Sequence, residues 1–221
     1  MEQQRPRVLV VGGTGTIGRA VTECLADSYE VIVAARGGGD VQVDASALDS
    51  IHAMFAAVGT VDAIVSAFGR AVTGGVGALS TSDIEATFTG KVLPQLNLAR
   101  VGLGHVRDGG SITLTSGVLS KEPVAGFAAV GMANGAIDGF CRAAAADLGD
   151  RVRINCVSPV FVLESGPDRQ RLGLDDSLLQ TAAETALAYR TAIESGLSGV
   201  NFDPRQARAG HPAAAQAPDR A

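Results

Sequence analysis

Val8-Leu9-Val10-Val11 is an unbroken apolar run that stops at Gly12-Gly13, which suits a strand covered on both faces, as in a parallel sheet. Behind it Ile17, Ala20, Val21, Cys24 and Leu25 recur at helical spacing. The alternation then repeats: Tyr29–Ala35 predicts a buried strand, Val41–Val43 a short one, Ala47–Val58 a helix and Val61–Ala67 a strand. Ser82–Arg107 reads as a long helical region, Ser111–Thr115 as a strand, Ala133–Leu148 as an alanine-rich helix, Val152–Val157 as a strand and Leu178–Ile193 as a helix. Strands alternating with helices of this length give βαβ units, hence an α/β, doubly wound parallel sheet in one domain spanning residues 1–204. From Arg205 the periodicity ends and Pro, Ala, Gln and Arg dominate, so 205–221 reads as a disordered tail or one ordered by a neighbour.

Composition narrows the class. Of 221 residues 46% are hydrophobic and 19% charged, enough apolar surface to close a core. The formal charge of −5 offers no basic field for a polyanion, so no nucleic acid and no membrane surface is expected as a partner. Cys24, Cys141 and Cys156 lie in apolar runs without metal-ligand spacing, which fits a reducing, cytoplasmic setting. Val8–Val11 is far shorter than the ~20 residues that span a bilayer.

The first turn carries the clearest chemistry. Gly12, Gly15 and Gly18 recur every third residue, with Thr14, Thr16 and Ile17 between them, after a strand and at the opening of a helix. Such glycines allow a left-handed turn, close approach to a pyrophosphate and tight helix packing, while free N–H groups hold the phosphate. This points to a dinucleotide; a plain tight βα turn is the other reading. The second strand ends in Ala34-Ala35-Arg36-Gly37-Gly38-Gly39, without the carboxylate that usually holds a ribose 2′-hydroxyl. Arg36 suits a 2′-phosphate instead, which favours NADP(H), the alternative being a solvated arginine.

With VVGGTGTIGRAV at the start, Val43-Asp44, Ser66-Ala67-Phe68-Gly69, ITLTS ending at Ser116 and RINCVSP ending at Pro159, the chain resembles the short-chain dehydrogenase/reductase family from about Val8 to Asp203. That resemblance implies a single Rossmann-type domain. It also implies that Asp44 faces the adenine, Ser66, Ala67, Phe68 and Gly69 the ribose side, and Pro159 and Val160 the nicotinamide. It implies that Gly199–Phe202 is the last strand, that Glu164–Ser177 covers the substrate as a short lid, and that the protein forms a homo-oligomer, a dimer or tetramer. The glycine spacing is similar to that of the family's atypical branches.

The family's Tyr-x-x-x-Lys pair is absent, since the resemblance sets Val130 at the tyrosine and Asn134 at the lysine. Valine exchanges no proton. Tyr29 and Tyr189, the two tyrosines, fall out of register. Where the family carries an asparagine, twenty-two residues after Gly69, stands Lys91, as though asparagine and lysine were exchanged. If Lys91 and Asn134 face one another, the ammonium is retained to orient ribose, bind an oxyanion or position a water. Lys91 and Lys121 are the chain's two lysines. Pro94 cannot donate to Gly90, so a kink and an unpaired carbonyl that binds water are expected beside Lys91; a break between two helices with Lys91 reaching solvent is the alternative.

Ser116 matches the family's serine that hydrogen-bonds the substrate carbonyl, and a loop-capping serine is the plainer reading. Ser120 and Lys121 follow on the same loop. His52, His105 and His211, and the neighbours Asp175 and Asp176, lack the spacing of a metal or acid–base site, so no metal is expected. Two functions follow. The first is an atypical NADP(H)-dependent oxidoreductase passing a hydride to or from a carbonyl, imine or conjugated double bond of a small molecule, with Ser116, Lys91 and Asn134 as catalytic candidates. The second is a redox-silent relative that uses the nucleotide as sensor or scaffold, or the cleft for cyclisation or elimination. Abundant Ala, Gly and Arg with few lysines suggests a GC-rich bacterial source.

Overall fold

The computed structural model describes residues 5–165 and 179–207. Seven parallel strands form one sheet: β1 (Arg7–Val11), β2 (Glu30–Ala35), β3 (Val41–Gln42), β4 (Val61–Ser66), β5 (Val106–Thr115), β6 (Arg153–Val157) and β7 (Asn201–Phe202). Their order is β3-β2-β1-β4-β5-β6-β7. The order reverses between β1 and β4, and it is outside the carboxyl ends of such a pair that open α/β sheets leave a crevice. Val8–Val11 is at most 1% exposed, which accounts for its uninterrupted apolar sequence.

Helices cover both faces. On one, α2 (Leu48–Val58), α4 (Leu93–Gly102) and α5 (Ala128–Leu148) bring Phe55, Leu98 and Ile137 onto Ile64, Ile112 and Ile154. On the other, α1 (Thr16–Leu25) and α6 (Ala182–Glu194) bring Val21, Leu25, Tyr189 and Ile193 onto Val8, Val10 and Phe202. Reciprocal capping boxes, Ser80 with Asp83 and Thr181 with Glu184, start α3 (Thr81–Thr87) and α6. Among the described residues no helix is long and apolar enough to cross a membrane.

Several boundaries differ from the sequence pattern. The helical region expected over Ser82–Arg107 is three pieces: α3, a π-helical turn over Phe88–Val92, and α4, which ends at Gly102. Val106 already pairs with Val61, and residues 107–110 bulge before Ser111 resumes the register opposite Ala63. Apolar periodicity carries no mark of such a bulge. Helix α5 begins at Ala128, before the expected Ala133, because Gly131 lets its first turn close on Leu119: a Cβ there would lie 2.9 Å from the Leu119 carbonyl oxygen.

Of the segment expected to be a tail, 205–221, the described part is Arg205–Ala207, and it is ordered. Pro204–Ala207 forms a helical turn, α7, and Arg205 pairs with Glu122 at 2.5 Å and with Asp203 at 2.5 Å. One opposite charge from a distant loop, Glu122, and one two residues away, Asp203, order a residue whose local sequence looks unstructured. The lid expected over Glu164–Ser177 lies mostly outside the described residues, as do Asp175, Asp176 and His211. Glu164 itself accepts the Ala182 N–H at the start of α6.

The packing of α4 gives a direct test. A Cβ on Gly102 would lie 2.6 Å from Ile64 Cδ1 and 3.2 Å from Phe55 Cζ. Gly102→Ala should therefore destabilise the fold by about 1–3 kcal/mol through overpacking, despite the better helix propensity of alanine. Urea unfolding followed by circular dichroism reads this as a lower midpoint.

Candidate active site

Two sets of residues meet at the crevice. The first is the glycine turn. Gly12 takes φ +85°, and its N–H donates to Ala34 O at 2.8 Å. A Cβ on Gly12 would lie 2.7 Å from Ala67 O, and one on Gly18 would lie 2.1 Å from Gly12 O. Neither position accepts a larger residue without the backbone moving. Gly15 stands before Thr16 at the head of α1, where no side chain caps the helix and no acidic residue sits in the first turn. A bare helix N-terminus behind closely approaching glycines fits the phosphates of a dinucleotide, with the amides from Thr16, Ile17 and Gly18 as donors. Thr14 lies against the loop after β2, its Cγ2 within 3.8 Å of where a Gly38 Cβ would stand.

Arg36 is exposed at the end of β2, with no ion pair among the described residues. Asp44 is exposed nearby. Ser46 donates to it through both N–H and hydroxyl, and these bonds, more than the weaker field of Arg36, hold its carboxyl below the usual range. A cleft of about 350 Å³ opens between α1 and the Gly38-Gly39 turn, with Arg19 on its wall.

The second set surrounds Lys91. Its stem lies along Gly69, where a Cβ would stand 2.9 Å from Lys91 Cγ, and its ammonium donates to Ser116 O at 2.9 Å and Asn134 Oδ1 at 2.6 Å. Lys91 and Asn134 thus face one another from the π-helical turn and α5. Enclosure of the ammonium lowers the Lys91 pKa to about 8, against the opposing field of Asp138. Asn134 is held close to β5 because Gly117 has no side chain; a Cβ there would lie 2.6 Å from Asn134 Nδ2. Pro159 accepts the Val118 N–H at 3.2 Å and, with half-buried Val160, borders the same end of the sheet.

The geometry also redirects several expectations. The Gly90 carbonyl that Pro94 leaves without an intrahelical donor takes the Arg70 N–H at 3.0 Å, so a protein group fills the place expected for water. Leu93 N–H bonds Phe88 O instead, a five-residue step that makes the turn π-helical. Ser66 does not turn its hydroxyl toward a ribose: it is fully buried and donates to Gln95 Oε1 at 2.7 Å. Ser116 is 2% exposed and gives its hydroxyl proton to Asn134 O at 3.1 Å, an anchoring bond rather than one presented to a ligand. Ala67 and Phe68 are half-buried and Gly69 exposed where β4 ends.

Val130 stands in the first turn of α5. Both tyrosines are engaged elsewhere. Tyr29 OH donates to Glu194, and fully buried Tyr189 pairs with Thr115 Oγ1 at 2.6 Å, burial raising its pKa far above the ordinary phenol. His105 stacks on Phe55 with ring centroids 4.7 Å apart, and His52 is exposed on α2.

Sequence reasoning missed Gln95. Its amide accepts from Ser66 Oγ and from Thr115 N–H at 2.8 Å, and donates to Thr115 O at 2.9 Å and Lys91 O at 3.3 Å. One fully buried amide therefore ties β4 and β5 to the turn bearing Lys91. The available signal was a polar residue one helical turn after Lys91, on the face that packs on the sheet. Gln95→Leu should leave Ser66 Oγ and the Thr115 amide without partners and cost about 3 kcal/mol, read as a lowered midpoint in urea with an unchanged slope.

Similarity to known proteins follows the same outline. A sequence profile described as Enoyl-(Acyl carrier protein) reductase matches residues 9–194. The hydroxynaphthalene reductase of Aspergillus fumigatus is 27% identical over 163 residues, 70% of this chain and 60% of that protein, so the match spans about three-fifths of that relative. A short-chain dehydrogenase/reductase of Stachybotrys chlorohalonatus is 31% identical over 69% of this chain and 72% of its own. The crystal structure of protein lin1944 from Listeria innocua superposes with a TM-score of 0.85 and 36% identity, covering 90% of this chain and 98% of that one. A small-chain dehydrogenase solved in complex with NADPH gives 0.81 and 26%, over 90% and 96%.

Proposed function

Because this chain belongs to the short-chain dehydrogenase/reductase family, we propose that it is an NADP(H)-dependent oxidoreductase acting on a carbonyl, imine or conjugated double bond of a small molecule, with Lys91 serving where the family's phenol is missing. The observation that carries this reading is the enclosed Lys91 ammonium, fixed by Ser116 O and Asn134 Oδ1 beside the crevice. Lysine has three N–H donors, and two are committed to these acceptors. The third has no acceptor among the described residues and is available to a ribose hydroxyl, a substrate oxygen or a water.

When bound, the nicotinamide supplies or accepts the hydride. The chain's own part is to bind and to manage the proton. Amides of the Gly12–Gly18 turn hold the pyrophosphate, and Arg36 takes the 2′-phosphate by a charge-assisted contact. With a pKa near 8, Lys91 is a far better proton donor at neutral pH than an ordinary lysine. The sign follows from that value: the ammonium predominates below about pH 8, so reduction slows as pH rises through it and the reverse reaction quickens. Asn134 and Ser116 serve this centre as its acceptors. An NADPH-bound relative of the same fold supports the nucleotide assignment. Buried, free Cys141 and Cys156 suit a cytoplasmic protein, and assembly as a homodimer or homotetramer belongs to the same reading.

One observation favours a second reading. With Ser116 Oγ turned onto Asn134 O and valine at position 130, Lys91 is the sole acid among the residues expected to act on substrate. A protein that holds the nucleotide as a sensor would show the same site.

Stopped-flow absorbance of NADPH with a panel of ketones, imines and enones separates the two. Oxidation of the nucleotide is expected; tight binding without oxidation across the panel supports the sensor instead. Lys91→Met should lower turnover by at least about 100-fold while leaving nucleotide affinity at the glycine turn nearly intact. Independently, Arg36→Ala should reduce the preference for NADPH over NADH by about tenfold, as loss of one charge-assisted contact requires. Unchanged relative affinities in fluorescence titrations would refute the phosphate contact.

A further inference from the structure

Asp138 lies one turn beyond Asn134 on the same face of α5, and both side chains are buried, at 4% and 1% exposure. Three neutral donors hold its carboxylate: Ser120 Oγ at 2.7 Å, Asn201 Nδ2 at 2.7 Å and the Cys156 thiol at 3.4 Å. No cation among the described residues contacts it. Lys91 is in the complementary position, an enclosed ammonium whose two acceptors are both neutral. Each ion alone in so enclosed a place is costly, and an opposite charge within reach offsets that cost. Asp138 follows Asn134 by four helical positions, about 6 Å along the axis, so the carboxylate lies one turn beyond the amide that accepts the Lys91 hydrogen bond.

We propose that Asp138 is a positioning residue of the Lys91 centre, the buried counter-charge that keeps the ammonium protonated through one turn of α5 while its bond to Ser120 fixes the turn bordering the crevice. The inference rests on the reading of Lys91 as the acid, but its electrostatic core is independent of any turnover. Other titratable groups around Lys91 do not take this role. Cys156 on β6 and Tyr189 on α6 are kept neutral by burial and their neighbours, and Cys141 belongs to the same apolar cluster on α5. Arg70, Lys121 and Glu122 are exposed to solvent at the edges. The field of Asp138 opposes the desolvation of Lys91, as a counter-charge must.

Two lysines in the whole chain make the test direct. In protein labelled with 13C-lysine, the side-chain carbon resonances of Lys91 and Lys121 are followed against pH, with Lys121→Arg to assign them. Lys91 should titrate near pH 8 in the unaltered chain. In Asp138→Asn its midpoint should fall by about one unit, that of Lys121 should stay, and Asp138→Glu should restore it. A Lys91 midpoint that is the same with aspartate and asparagine overturns the proposal. Asp138→Ser, small enough to leave room for Ser120 and Asn201, is read in the same way should the asparagine variant not fold. If both neutral variants fail to fold, the glutamate variant decides: a Lys91 midpoint unchanged from the parent supports the proposal, and a displaced one overturns it. The readout needs neither substrate nor nucleotide, so failure of the oxidoreductase reading leaves it intact and separately measurable. In the active enzyme, the alkaline limb of the reductive pH profile should move down by the same amount in Asp138→Asn.

Discussion

The seating of one ammonium on the end of β5 organises the site. Lys91 reaches from a helix on one face of the sheet, lays its stem along Gly69 and donates to the Ser116 carbonyl and the Asn134 amide. Three elements are thereby fixed at one point: the end of β4, the end of β5 and the first turns of α5. Taking an ammonium out of water has a cost, which appears as its lowered pKa. The same cost makes the group chemically useful, because an enclosed lysine gives up its proton near neutral pH.

That seating depends on the irregular helix that carries it. Pro94 removes the donor that an α-helix would offer the Gly90 carbonyl, and the Arg70 N–H bonds that carbonyl at 3.0 Å. Only glycine allows the approach, since a Cβ at position 90 would meet Arg70 O at 2.7 Å. The π-helical turn is therefore a junction between the helix and the loop after β4, and it places Lys91 directly beside Gly69. Gln95, one turn on, locks the same helix to β4 and β5.

Much of this was legible in the amino-acid sequence. Unbroken apolar runs fixed the parallel strands, since a strand covered on both faces has no polar side to alternate. Glycines at 12, 15 and 18 marked the turn, and at 12 and 18 only a residue without a Cβ passes Ala67 O and Gly12 O at the distances found. The positions of Lys91 and Asn134, and of the two tyrosines at 29 and 189, are likewise plain in the sequence, being statements about residue identity.

Tertiary structure alone decided where the hydroxyls and carboxylates point. Ser66 and Ser116 are expected by resemblance on the ligand side; in the structure the hydroxyl of one donates to Gln95 and that of the other to Asn134 O. Asp138 carried no sequence mark, since a single carboxylate in an alanine-rich helix reads as solvated until Ser120 and Asn201 are seen to close around it. Arg205 reads as the start of a tail until Glu122 is found beside it. The physical reason is common to all four. Backbone preference and hydrophobic period act between near neighbours and are written into the local sequence, whereas a hydrogen bond or a counter-charge joins residues that only the completed fold brings within a few ångströms.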